Sequence, residues 1–246
     1  MKRIFFVGWM AILIATVFLA VLPGEAAAAT AGPAGTGTYG NELASLDAGP
    51  LGTALSAIVP GPLSPEEAAG LAYMREEEKL AHDVYSTLYE RWGATVFRTI
   101  ANGEQKHSDA IKTLLERYGL ADPAAGNGAG VFDDPELQAL YNTLVAQGSA
   151  SLAAALKVGA AIEEIDILDL QERLAQTDHA DIQRVYQNLE NGSHNHLRAF
   201  VSNWEKQTGE VYRPQYLDQD TYDAIVNGGS GNGGRPGGQG RLRGGR

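Results

Sequence analysis

The stretch GEQKHSDAIKTLLERYG, residues 103–119, sets Glu104 and His107 three residues apart among isoleucine and leucine. Residues three or four apart share one face of a helix. The face that holds Glu104 and His107 also carries Phe97, Ile100, Ile111, Leu114 and Tyr118, so it is the face expected to be buried. Three other segments repeat the intrusion. Leu71, Met74, Glu78, Ala81, Tyr85, Leu88 and Trp92 form one stripe interrupted by Glu78. Leu156, Ala160, Glu163, Ile167, Leu170 and Leu174 form another interrupted by Glu163, with Glu164 about 100° round the helix. Ile182, Leu189, Ser193, His196 and Phe200 form the last, with Ser193 and His196 facing inward.

A buried carboxylate without a partner costs several kcal/mol and normally takes up a proton. Three of them together with two histidines call for a shared partner. One divalent cation or a pair of them supplies it. Carboxylate oxygen and neutral imidazole together suit iron or manganese, with zinc as a further choice.

Four long helices must position these groups. Ser64, Pro65 and Glu67 form a capping box that opens a helix running to about Trp92, and Gly93 ends it. A second runs from about Thr95 to Tyr118. A long loop over ADPAAGNGAGVFDDP follows, then a short helix from Asp134 and Pro135 to about Gln147. The third long helix covers about 151–175 and the fourth about 181–208. No stretch of alternating β-branched residues competes, so the class is all-α. Mostly short connections predict a four-helix bundle, with the long connection between its second and third helices.

The arrangement resembles the ferritin-like di-metal bundle, in which two helices each give a glutamate and two each give Glu-x-x-His. More closely, MREEEKLAHDVY, GEQKHSDAIKTLLERYG, IEEIDILDL and GSHNHLRAF, taken in order, resemble the ferritin-like family of domain of unknown function 2202 over about residues 64–210. The resemblance implies a ferritin-like fold and a metal site at Glu78, Glu104, His107, Glu163 or Glu164, and His196. The chain also repeats itself. Glu78 precedes His107 by 29 residues and Glu163 precedes His196 by 33, as two helix pairs related by a pseudo-twofold would require. The departure is Ser193, which stands where the di-metal pattern has glutamate. Glu190 lies about 120° away from His196 and His194 about 200°, so neither is a ready substitute.

Other polar residues have plainer readings. Glu76, Glu77, His82 and Asp83 read mostly as a solvated face, with His82 one turn from Glu78. His179 reads as a surface residue beside a helix start. Asp166 and Asp169 either assist the site or are exposed. Tyr85 either hydrogen-bonds a metal ligand or is a core aromatic. Asn191-Gly192-Ser193 spells a glycosylation sequon, discounted because it falls inside a helix.

Composition narrows the function. The chain has 246 residues, 44% hydrophobic, and no cysteine, which excludes thiolate metal sites and disulfides. A formal net charge of −11 speaks against nucleic acid as a partner. Lys2 and Arg3, an apolar run from Ile4 to Leu22 and a row of alanines have the layout of a signal peptide, residues 1–28, cleaved near Ala28. If left uncleaved it would be a membrane anchor; after cleavage no stable span remains. Residues 29–63 read as a flexible linker, 64–226 as the helical domain, and 227–246 as a disordered Gly/Arg-rich tail. The expectation is a secreted ferritin-like protein that binds one or two divalent metal ions. Two alternatives stand beside it: a di-iron oxidoreductase acting on oxygen or peroxide, and a metal-free cell-surface helical module. The oligomeric state is left open.

Overall fold

A computed structural model describes residues 61–228. The expected signal peptide, the linker up to residue 60 and the tail from residue 229 lie outside the described residues. Within them are six helices and no strand: α1 (Pro65–Trp92), α2 (Thr95–Arg117), α3 (Pro135–Gly148), α4 (Leu152–Gln176), α5 (Ala180–Thr208) and α6 (Gln219–Gly228).

Local chemistry sets most of the ends. The Ser64 hydroxyl accepts from the Glu67 amide at 3.1 Å while the Glu67 carboxylate accepts from the Ser64 amide at 2.8 Å, and Pro65 occupies the first turn of α1. Asp134 caps α3 by accepting from the Glu136 and Leu137 amides, and Ser151 caps α4 through the Ala154 amide. Gly93 and Gly209 close α1 and α5 at φ of 66° and 76°, a left-handed conformation that a side chain would oppose.

The helices pack chiefly as two pairs, α1 on α2 and α4 on α5, and the pairs meet through α2 against α5 and α1 against α4. The short α3 lies against α1 and α4. The buried apolar residues fall into two clusters. One gathers Tyr85, Leu88, Phe97, Ile100, Leu156 and Phe200. In it the rings of Tyr85 and Phe200 stand 5.0 Å apart and those of Phe97 and Phe200 5.5 Å. The other gathers Met74, Ile111, Leu170, Ile182, Tyr186 and Leu189. Each such side chain contributes about 1.5–3 kcal/mol when removed from water. Along α1, α2 and α5 the candidate ligands fall between a residue of one cluster and a residue of the other. Glu78 follows Met74 and precedes Ala81, Glu104 and His107 lie between Ile100 and Ile111, and Ser193 and His196 lie between Leu189 and Phe200. A polar layer thus divides the core.

The 118–134 connection is tied to α1 by residues expected on a solvated face. Glu76 accepts from the Asp133 and Asp134 amides at 2.6 and 3.1 Å. Asp83 accepts from the Gly130 amide at 2.8 Å, and Arg75 pairs with Asp122 at 3.0 Å. Glu76, Glu77 and Asp83 are buried, so the expectation of a solvated face is corrected for these three. The connection and α3 cover that side of α1. Helix α6 was not anticipated, and its last two residues, Asn227 and Gly228, extend past the 64–226 span expected for the helical domain.

Candidate metal centre

Glu104 stands at the middle of the polar layer with its two oxygens divided between two imidazoles. Oε2 lies 2.8 Å from Nδ1 of His107, and Oε1 lies 2.8 Å from Nδ1 of His196. Glu78 joins the first histidine, its Oε2 3.3 Å from His107 Nδ1. Glu163 joins the second, its Oε2 3.5 Å from His196 Nδ1. The two rings are 5.4 Å apart. The residues arrive from α1 (Glu78), α2 (Glu104, His107), α4 (Glu163) and α5 (His196). The i, i+3 spacing on α2 is what lets one helix supply two of them.

These contacts are close without being well-directed hydrogen bonds. Nδ1 of both histidines, Oε1 of Glu78 and Oε1 of Glu104 are buried and have no hydrogen-bond partner. Buried polar atoms are rarely left so. Carboxylate oxygens that converge on imidazole nitrogens are an arrangement one cation can bridge, the imidazoles then being neutral. Ligand atoms of Glu104, His107 and His196 lie within 4.8 Å of one another, close enough for one ion to reach all three. Carboxylate oxygen with imidazole nitrogen is the donor set of iron, manganese or zinc, so the residues fit such a metal.

Without metal, protons do part of the cation's work. Burial pushes the Glu78 carboxyl up to about 7 against the pull of His107. Burial and the charge of Glu104 raise Glu163 to about 8. Burial opposes ionisation of Glu104 too, but the charges of His196 and His107 hold it far below the usual carboxylate range. Burial lowers His196, and the charges of Glu104 and Glu163 outweigh that to raise it to about 10. His107 is raised well above its ordinary value in the same way, by Glu78 and Glu104 against burial.

Around this cluster lie groups with other tasks. The Tyr85 hydroxyl donates to Oε1 of Glu163 at 2.6 Å, so it is both a core aromatic and a hydrogen-bond partner of the site. Glu164, read as an alternative to Glu163, is not brought to the cluster. Its carboxylate accepts from the Tyr212 hydroxyl at 2.8 Å and from the amides of Gln215, Tyr216 and Leu217 at 2.7, 2.6 and 3.1 Å. It ties the segment after α5 to α4, a role that its place 100° from Glu163 permits and its sequence did not announce. Asp166 is buried and its carboxylate accepts from the Ser193 hydroxyl. Farther along, Glu77 and Asp169 interact carboxyl to carboxyl: burial and then Asp169 raise Glu77 well above its ordinary value, and burial raises Asp169 to about 6. The i, i+3 spacing of Glu163, Asp166 and Asp169 on α4 is the signal that could have marked the last two. His82 and His179 stay outside the cluster, beside Asp83 and Glu67. His194 lies near Glu190, also outside it.

Residues 67–229 match the uncharacterized protein domain DUF2202. The chain belongs to the DUF2202 family. This DUF2202 protein is 47% identical over 173 residues to MJ0754, an uncharacterized protein of Methanocaldococcus jannaschii, an alignment covering 70% of this chain and 93% of that one. The crystal structure of the hypothetical protein MJ0754 is similar at a TM-score of 0.68 and 47% identity, covering 70% of this chain and 97% of that chain. Among the described residues no helix is long and apolar enough to cross a membrane.

Proposed function

We propose that this DUF2202 protein is an exported, ferritin-like four-helix protein that binds divalent metal, iron or manganese before zinc, through Glu78, Glu104, His107, Glu163 and His196. The observation that carries the reading is Glu104, which points one oxygen at each of two buried imidazole nitrogens that make no hydrogen bond. Four helices spend buried volume on charged groups between two apolar clusters, and a metal is what makes such a layer stable. A metal-free module would be expected to satisfy its buried polar atoms internally, and the orphaned oxygens of Glu78 and Glu104 speak against it. The two pairs of long helices, with the long connection between the second and third, support the bundle reading.

When bound, such a metal supplies Lewis acidity and, if iron or manganese, one-electron redox chemistry. The chain's residues fix its place, keep it apart from bulk water and hold charge near it. Tyr85 favours a second, redox reading, because its phenol donates directly to the Glu163 carboxylate. Elemental analysis of the full chain purified without an affinity tag tests the first reading. Stoichiometric iron, manganese or zinc is expected, with metal content and melting temperature falling together in His107→Ala. Wild-type protein free of metal after incubation with these ions would reject it. Peroxide turnover by the loaded wild type, lost in Glu104→Gln, would be needed for the second.

A further inference from the structure

The five proposed ligands are not equally sealed. Glu78, Glu104 and Glu163 are 1% exposed and His107 is 0%, whereas His196 is 8% exposed. Along the bundle axis the polar layer is closed in both directions, since an apolar cluster lies on either side of it. Across the axis, α3 covers the seam between α1 and α4, and the 118–134 connection is bonded to α1. Among the described residues no helix packs across α2 and α5 in that way.

At the α2–α5 seam the residue that meets His196 is a glycine. Nε2 and Cε1 of the imidazole lie 2.8 and 2.9 Å from where a Cβ of Gly103 would be, so the ring edge rests on the backbone of α2 with no side chain of residue 103 to hem it in. Helical period places the flanks of this gap. Arg117 of α2 and Asp181 of α5 pair across the seam at 2.8 Å. Lys106 precedes Arg117 by 11 residues, about three turns, and Ala199 follows Asp181 by 18, about five turns, so both stand on the seam-facing edges of their helices. Lys106 is one turn from Gly103 and exposed, and Ala199 is one turn from His196 and half-buried. We propose that the cation enters and leaves the polar layer through the α2–α5 seam, past the His196 imidazole, over Gly103 and between Lys106 and Ala199. This inference rests on the metal-binding reading above. His196 is then the last ligand to close on an arriving ion and the first to let go, while the ligands sealed on the other helices stay in place.

The test is stopped-flow kinetics on the full chain, with manganese(II) uptake by the metal-free protein and release from the loaded protein into excess chelator, beside equilibrium dialysis for affinity. A residue that lines a route changes uptake and release by the same factor, because both cross one barrier. Ala199→Leu is expected to slow both at least about threefold and to keep the dissociation constant within about twofold of wild type. Lys106→Glu puts a negative charge beside the gap in place of a positive one, and it is expected to speed uptake about threefold at about 0.15 M salt and more at low salt. Arg184→Glu is the control. It makes the same charge change at an exposed position of α5 but lies 12 residues before His196, about 18 Å along the helix and more than two screening lengths away, so uptake stays at the wild-type rate. Uptake at the wild-type rate in either Ala199→Leu or Lys106→Glu would overturn the route, as would an equal acceleration in Arg184→Glu. Were Ala199→Leu to misfold, Lys106→Glu, a change at an exposed position, decides alone. Wild type that takes up no manganese(II) fails the metal-binding reading instead, a result distinct from all of these.

Discussion

Gly103 sits in the middle of α2, where glycine costs about 1 kcal/mol relative to alanine. The reason for keeping it lies across the helix interface. A Cβ built at Gly103 would stand 2.8 Å from Nε2 and 2.9 Å from Cε1 of His196. Ordinary contact begins near 3.4 Å, so in Gly103→Ala the imidazole must retreat by about 0.6 Å. Nδ1, bonded to Cε1, lies 2.8 Å from Glu104 and 3.5 Å from Glu163 and moves with the ring. Metal–ligand distances tolerate only about 0.2 Å, so a ring displaced this far no longer meets the ion well. The expected result is a metal-free protein no less stable than wild type, since the gain in helix propensity offsets the small ring movement, with manganese(II) affinity lowered at least about tenfold, or about 1.4 kcal/mol. Calorimetric titration reads the affinity and circular dichroism the melting temperature. Gly70→Ala is the control, because its Cβ would approach only Arg173, at 3.3 Å, and it should leave affinity unchanged. Wild-type affinity in Gly103→Ala would refute the claim that His196 Nδ1 holds the metal.

Glu164→Gln should lower the melting temperature by several degrees without changing metal content, because the carboxylate anchors four hydrogen bonds from residues 212–217 and no ion; the net cost is about 2 kcal/mol. Limited proteolysis should cut the 209–218 segment first, and loss of metal would instead return Glu164 to the ligand set. The metal-free protein should lose stability as pH rises from 6 to 9. Glu78 at about 7 and Glu163 at about 8 are raised, so what they contribute is complete below the ordinary carboxylate range and is lost progressively as pH climbs to those values, while the share of Asp169, at about 6, is lost by the start of the window. His196, raised to about 10, adds to the loss from its ordinary value upward, whereas the depressed Glu104 keeps its contribution throughout. Saturating manganese(II) should reverse the slope, since metal binds the deprotonated ligands; thermal melts at both conditions check the sign, and parallel slopes would contradict it.

The elements and the inward stripes were legible because both depend on neighbours in sequence. Ser64 with Glu67, Asp134, Ser151 and Gly93 mark helix ends through bonds that close within a turn. Period alone placed Glu78, Glu104, His107, Glu163 and His196 on buried faces, where they are found. What period could not show is what covers the other faces. Glu76 and Asp83 looked like members of a solvated charge run because the loop that buries them lies some fifty residues on, and Glu76 is held there by the Asp133 and Asp134 amides. Glu163 and Glu164 could not be separated for the same reason: the segment that occupies Glu164 follows α5. The bond between the Ser193 hydroxyl and Asp166 was equally out of view, because Asp166 lies on a different helix. The sequon falls inside α5, with its Ser193 hydroxyl buried against Asp166.

The central claim concerns place: one cation shared by Glu104, His107 and His196 between two apolar clusters. Crystals of the full chain grown with manganese(II) and measured at the manganese absorption edge test it most directly. An anomalous peak in bonding contact with a Glu104 oxygen and the Nδ1 atoms of His107 and His196 is the expected result. Peaks only on exposed acidic residues, with that cluster free of anomalous density and its histidines paired to carboxylates by ordinary hydrogen bonds, would contradict it.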